Sequence, residues 1–88
     1  MAKFIVCEVA PLKGKRIMYE DMRIVAINID SIDALHQDIF EVENGDGSVA
    51  ECVGLEVCSS NLKGEADGNL VIMMDYGTFL KEVNHEKA

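Results

Sequence analysis

Asp38-Ile-Phe-Glu-Val-Glu-Asn-Gly-Asp-Gly-Ser-Val-Ala-Glu-Cys-Val53 admits two readings, a β-hairpin around a tight turn or the remains of a calcium loop, and the choice between them decides the fold. In a calcium loop of the EF-hand type, Asn44, Asp46 and Gly47 would fall at positions 3, 5 and 6. That register puts Val42 at position 1 and Val53 at position 12, where a carboxylate and a bidentate Glu are needed. The flanking residues also alternate at the period of a strand rather than a helix. Asn-Gly is a strong signal for a two-residue hairpin turn, because both central residues require positive φ. A turn at Asn44-Gly45 would set Phe40 opposite Val49 and Ile39 opposite Ala50. A hairpin is therefore expected, and a calcium or other small-ligand site is the weakest of three functional readings.

Upstream, Lys3 to Ala10 reads as a strand, with Ile5, Cys7 and Val9 on one face and Phe4, Val6 and Glu8 on the other. Pro11 cannot donate to a ladder and Gly14 can take positive φ. Pro11-Leu-Lys-Gly-Lys15 therefore breaks the strand, and Arg16-Ile-Met-Tyr19 is expected to return as a hairpin with a basic tip. Met22 to Ile29 is a third strand rich in β-branched residues, apolar on both faces. In so small a chain this implies a tightly curled sheet or a self-association interface. Asp30 to Asp38 carries capping residues and an apolar spacing that predict a helical turn near residues 31–37, although its alternation would also extend a strand.

Downstream, Leu55 to Cys58 is expected to continue the sheet across a bulge or bend at Gly54. Residues 59–69 are polar and contain glycine, which predicts an exposed loop. Leu70 to Asp75 follows as a strand. Tyr76 to Asn84 then reads as a helix, capped by Asp75 or Thr78, with Phe79, Leu80 and Val83 on one face and a frayed tail at 85–88. The sum is a single α+β domain over residues 1–88: a mostly antiparallel, curled sheet or small half-barrel of five to six strands with a C-terminal helix.

The 88 residues are 49% hydrophobic and 27% charged, too apolar for disorder. Net charge is −8 and unevenly placed. Residues 1–23 hold five basic and three acidic side chains, for +2, and residues 24–88 hold three basic and thirteen acidic, for −10. A field of that sign opposes a nucleic-acid partner. The longest apolar run, Leu70 to Met74, falls far short of the ~20 residues a membrane-spanning helix needs. The opening Met1-Ala-Lys-Phe-Ile-Val-Cys-Glu8 reaches a charge before a signal-peptide core can form, and a cytoplasmic location with reduced core thiols at Cys7, Cys52 and Cys58 is expected. The spacing of Cys52 and Cys58 does not suit a structural zinc, His36 has no nucleophile near it in sequence, and no glycine loop opens a helix to receive phosphate. The expectation is no enzyme, no metal and no cofactor.

Phe4-Ile-Val, Gly14-Lys15 and Arg16-Ile-Met-Tyr-Glu-Asp-Met-Arg-Ile-Val-Ala-Ile27, followed much later by Leu70 to Val83, resemble the beginning and end of the small FlbD-like β-domains of bacteria and phages. In those a first strand, a glycine turn and a segment of the form xIxxNxDxIxxI succeed each other, and a strand runs into a short final helix. Tyr19 stands where Asn is often found, and the 31–69 middle is unlike the compact hairpin of that family. The resemblance implies a small curled sheet with a C-terminal helix that often self-associates. The DNA binding known in related domains does not carry over against the acidic charge.

Two surfaces are the candidates for interaction: an acidic face of Asp38, Glu41, Glu43, Asp46 and Glu51, and a basic tip of Lys13, Lys15 and Arg16. Together with the doubly apolar strands, their opposite signs point to a homo-oligomer. The alternative is an acidic decoy that occupies the basic, nucleic-acid-binding surface of another protein.

Overall fold

The computed structural model describes residues 4–58 and 69–87. Six strands and one helix succeed each other as β1 (Phe4–Pro11), β2 (Arg16–Met18), β3 (Arg23–Asn28), β4 (Ala34–Glu43), β5 (Val49–Cys58), β6 (Leu70–Ile72) and α1 (Tyr76–Lys87). The strands form one open sheet in the order β2-β4-β5-β6-β1-β3. The architecture is α+β as expected, but the sheet is mixed. β2 runs parallel to β4, Arg16 beside Glu41 and Met18 beside Glu43, while the other four pairings are antiparallel.

The expected β1–β2 hairpin does not form. Lys13 and Arg16 close a tight turn through reciprocal backbone hydrogen bonds of 2.9 and 3.1 Å, with Gly14 at φ +65°. The chain then leaves β1 for the far edge of the sheet, because β6 takes the place beside β1, Val9 opposite Ile72. β1 and β2 stand four positions apart in the strand order, about 19 Å in a flat sheet. Five residues fully extended reach only ~18 Å, and these five turn tightly. The sheet must bend sharply for the connection to exist, and β1 and β2 indeed touch.

The bend explains why the core has two parts on opposite faces. On one face Ile5, Cys7, Val9, Ile27, Leu55, Val57 and Ile72 lie under Phe79 of α1. On the other, Ala10, Ile17, Phe40, Val42 and Val71 enclose a smaller cluster with Leu12, Met22, Cys52 and Met73. The apolar run Leu70 to Met74 follows from this division. Val71 and Ile72 are both fully buried, one in each cluster, as a central strand covered on both sides requires.

β4 and β5 make one uninterrupted hairpin of ten residues per strand, from Ala34 opposite Cys58 to Glu43 opposite Val49. The helical turn expected at 31–37 is absent. A 3-10 turn occupies Ile29–Ser31, where the Asn28 side chain accepts from the Asp30 N–H at 3.0 Å. The strand pattern wins from Ala34 onward because Leu35 packs against the larger cluster opposite Val57. No bulge marks Gly54, which pairs in register with Asp38. A Cβ there would meet Val71 Cγ1 at 2.6 Å and Phe40 Cδ2 at 3.2 Å, so glycine is needed for close packing of the second cluster.

The hairpin exists, but its register differs from expectation by three residues: Phe40 faces Cys52, not Val49, and Ile39 faces Val53, not Ala50. Asn44 C=O accepts from Gly47 N–H at 2.9 Å and Asn44 N–H donates to Ser48 C=O at 2.8 Å. Gly47 carries the positive φ, +89°, so the loop is a turn closed by a left-handed glycine rather than a two-residue Asn-Gly turn. An odd shift exchanges the faces of β5. Val49 and Val53, expected against Phe40, lie instead on the opposite face, 44% and 42% exposed.

α1 begins where Asp75 caps it, Oδ1 accepting from Thr78 N–H at 3.1 Å. Phe79 is buried and Val83 half-buried, whereas Leu80 is 55% exposed and leaves the expected apolar face. Tyr76 N–H donates to the Gln37 side chain at 2.8 Å and Tyr76 O–H donates to the Leu35 carbonyl, fastening the helix start to β4. Of the loop expected at 59–69, residues 59–68 lie outside the described residues. Asn69 C=O accepts from Leu12 N–H at 2.9 Å.

Candidate functional site

The two charged surfaces read from the sequence meet within one chain. Parallel pairing of β2 with β4 sets Arg16 beside Glu41. Its guanidinium reaches Glu43 Oε1 at 2.9 Å through Nη1 and Glu41 Oε1 at 3.4 Å through Nη2. Glu41 lies directly opposite Glu51 across the hairpin, a like-charge pairing that is unfavourable unless a cation is near. Arg16 supplies that cation. Lys13 Nζ approaches Asp21 Oδ2 at 2.9 Å, answering the charge on a carboxylate oxygen that is itself buried.

The five acids do not share one face. Glu41, Glu43 and Glu51 belong to one side of the β4–β5 ladder and Asp38 to the other. Asp38 accepts from the Ile39 N–H at 2.8 Å and lies 3.9 Å from His36 Nε2, with both side chains exposed. Lys15 lines an open groove of about 360 Å³ with Leu12, Asp38, Phe40 and Glu56. Asp46 sits in the turn, where Oδ1 accepts from Ser48 N–H at 2.9 Å and Ser48 O–H at 2.6 Å. These hydrogen bonds, the side-chain one foremost, hold its carboxyl below the usual carboxylate range. The carboxylate that would have served a calcium loop is therefore engaged in shaping the turn.

Cys7 is buried, and desolvation raises its thiol pKa, which disfavours the reactive thiolate. All three cysteines are free; Cys7 is in the larger core cluster and Cys52 packs against the smaller one. Cys52 is half-buried and Cys58 exposed.

The sequence flagged strands with two apolar faces without naming a site on them, and the structure places their spare face in solvent. Phe4 is 50% exposed, Val6 69% and Ile24 74%. Val6 pairs with Ala26, and Glu8 with Ile24, so these residues share one face of the β1–β3 pair. The opposite face, with Ile5, Cys7 and Ile27, is buried under the helix. On the β4–β5 hairpin the cross-strand pair Ile39 and Val53 is also exposed.

No family model, curated protein or solved structure matches the chain. Among the described residues no helix is long and apolar enough to cross a membrane.

Proposed function

We propose that this chain is a small non-enzymatic interaction module that acts by self-association, its sheet curled toward a half-barrel in the manner of the FlbD-like domains it resembles. The observation that carries the reading is the apolar patch of Phe4, Val6, Ile24 and Ala26, solvent-facing on the back of the larger core cluster. Scattered single hydrophobics are ordinary on a protein surface, whereas a contiguous patch signals contact.

The charge division no longer supports the reading, because Arg16 already answers Glu41 and Glu43 inside the chain. The same contacts remove part of the acidic surface that a decoy of a basic partner would use. Four side chains are far fewer than the ~20–30 residues a side of a stable interface, and association itself costs ~4–15 kcal/mol of lost freedom. The patch alone therefore gives weak binding, and a stable assembly needs further contacts beside it.

Sedimentation equilibrium of the full chain at tens of micromolar tests the proposal. A mass of at least two chains is expected, and a monomer across that range refutes it.

A further inference from the structure

We infer that Asn44 is a site of spontaneous modification, at which the Gly45 amide closes on the Asn44 side chain and converts the residue to isoaspartate and aspartate. The only co-reactant is water. The Gly45 nitrogen bonds to Asn44 Cγ, the Cγ–Nδ2 bond breaks, and Nδ2 leaves as ammonia with the proton that the Gly45 nitrogen gives up. A cyclic imide remains. Water then opens it at either carbonyl: cleavage between Cγ and nitrogen gives aspartate, and cleavage at the main-chain carbon gives isoaspartate, whose chain runs through the former side chain.

The turn offers two such pairs, Asn44-Gly45 and Asp46-Gly47, and the structure separates them. Gly45 is exposed, has nothing within 4 Å of where a Cβ would stand, and its N–H has no acceptor among the described residues. The attacking nitrogen is free and unshielded. Gly47 N–H is instead held by the Asn44 carbonyl at 2.9 Å, and the Asp46 carboxylate accepts from both Ser48 N–H and Ser48 O–H. An ionised, hydrogen-bonded carboxylate is a poor electrophile, so the second pair stays inert. The other asparagines precede Ile29, Leu62, Leu70 and His85, whose side chains crowd the attacking nitrogen as glycine does not.

Asn44 is restrained through the nitrogen that leaves. Nδ2 donates to Ser48 Oγ at 3.1 Å and to the Ser48 carbonyl at 3.5 Å, and the side chain must release Ser48 before Cγ turns to the Gly45 nitrogen. Exposed hydrogen bonds of this kind hold weakly. Asn44 and Gly45 also border an open hollow of about 210 Å³ with Glu20 and Glu43, which leaves room for the ring and for water. Both products then act on the hairpin. Each adds a carboxylate next to Glu43, and isoaspartate makes that carboxylate out of the Asn44 carbonyl that accepts from Gly47 N–H while lengthening the chain by one carbon. The turn that fixes the β4–β5 register is thereby loosened.

Incubation of the full chain in neutral buffer tests this, with peptide mapping by mass spectrometry and the urea-unfolded chain as reference. Asn44 should convert ahead of every other asparagine and of Asp46, with isoaspartate the larger product. The folded rate should lie within about tenfold of the unfolded one, the restraint of one or two exposed hydrogen bonds. Ser48→Ala should raise the folded rate about twofold to tenfold, whereas Ser48→Thr, which keeps the hydroxyl, should leave it near the parent's. Aged protein should unfold at a lower urea concentration than fresh protein. An Asn44 still intact in the folded chain when the unfolded chain has converted fully overturns the inference, as does another asparagine or Asp46 converting first. A Ser48→Ala rate equal to the parent's overturns the restraint assigned to Ser48.

Discussion

Gly47 and Gly54 are both required, for different reasons. Gly47 has open space around its Cα but φ of +89°; Gly54 has no positive φ but lies against Val71 and Phe40. Gly47→Ala should cost ~1–2 kcal/mol through backbone strain alone. Gly54→Ala should cost ~1–3 kcal/mol through overpacking, and the additional substitution Val71→Ala, which removes the 2.6 Å contact, should recover part of that loss. Urea denaturation of the three variants distinguishes the two mechanisms. The sequence offers Asn44-Gly45 and Asp46-Gly47 two residues apart. Both are turn signals, and local propensity does not decide between them. Asp46 and Ser48 do, through the hydrogen bonds that leave Gly47 as the left-handed residue. Asp46 and Asp75 are held below the ordinary carboxylate range, first by side-chain hydrogen bonds to Ser48 and Thr78. A depressed folded-state value contributes stability above the unfolded value of ~3.9 that is lost as pH falls through the folded one. The melting temperature should therefore drop below about pH 4. Asp46→Asn with Asp75→Asn, which keeps amide oxygens able to accept, should flatten that drop; an unchanged acid limb in the double variant contradicts the assignment.

At the scale of elements, β1, β3, the long hairpin and the C-terminal helix are legible because each carries its own period of apolar residues. The partner of β2 is not. Arg16-Ile-Met18 alternates equally well beside β1 or β4, and only the arrival of β6 beside β1 sends it across the sheet. The 31–37 segment was ambiguous for a related reason: Ile32 and Leu35 fit a helical face, yet both pack against the larger cluster from extended or turn geometry. Two substitutions probe these packings. Phe79→Ala, which empties a buried position between α1 and the sheet, should cost ~3–5 kcal/mol. Arg16→Ala removes partly exposed ion pairs and should cost under ~1 kcal/mol. Because the variant leaves Glu41, Glu43 and Glu51 without that cation, the deficit should shrink at high salt, where repulsion is screened. A deficit that grows with salt would mean that Arg16 acts by packing rather than charge.

For the whole molecule, the charge asymmetry was visible in the sequence but its consequence was not. The +2 and −10 segments suggested attraction between copies, and the parallel β2–β4 pairing instead brings Arg16 to the acidic strand of its own chain. The apolar asymmetry survives folding. β1 and β3 have one face beneath the helix and the other in solvent, with Glu8 as the one acid on that solvent face. Self-association through that region should resist salt, since added ions weaken repulsion between two chains of net charge −8, whereas an acidic decoy would lose its basic partner steeply. The most direct test is sedimentation equilibrium of the wild-type chain at tens of micromolar, in about 0.05 M and about 0.5 M salt. A dimer that persists at both is expected; a monomer at both, or a dimer that dissociates as salt rises, contradicts self-association through the apolar face.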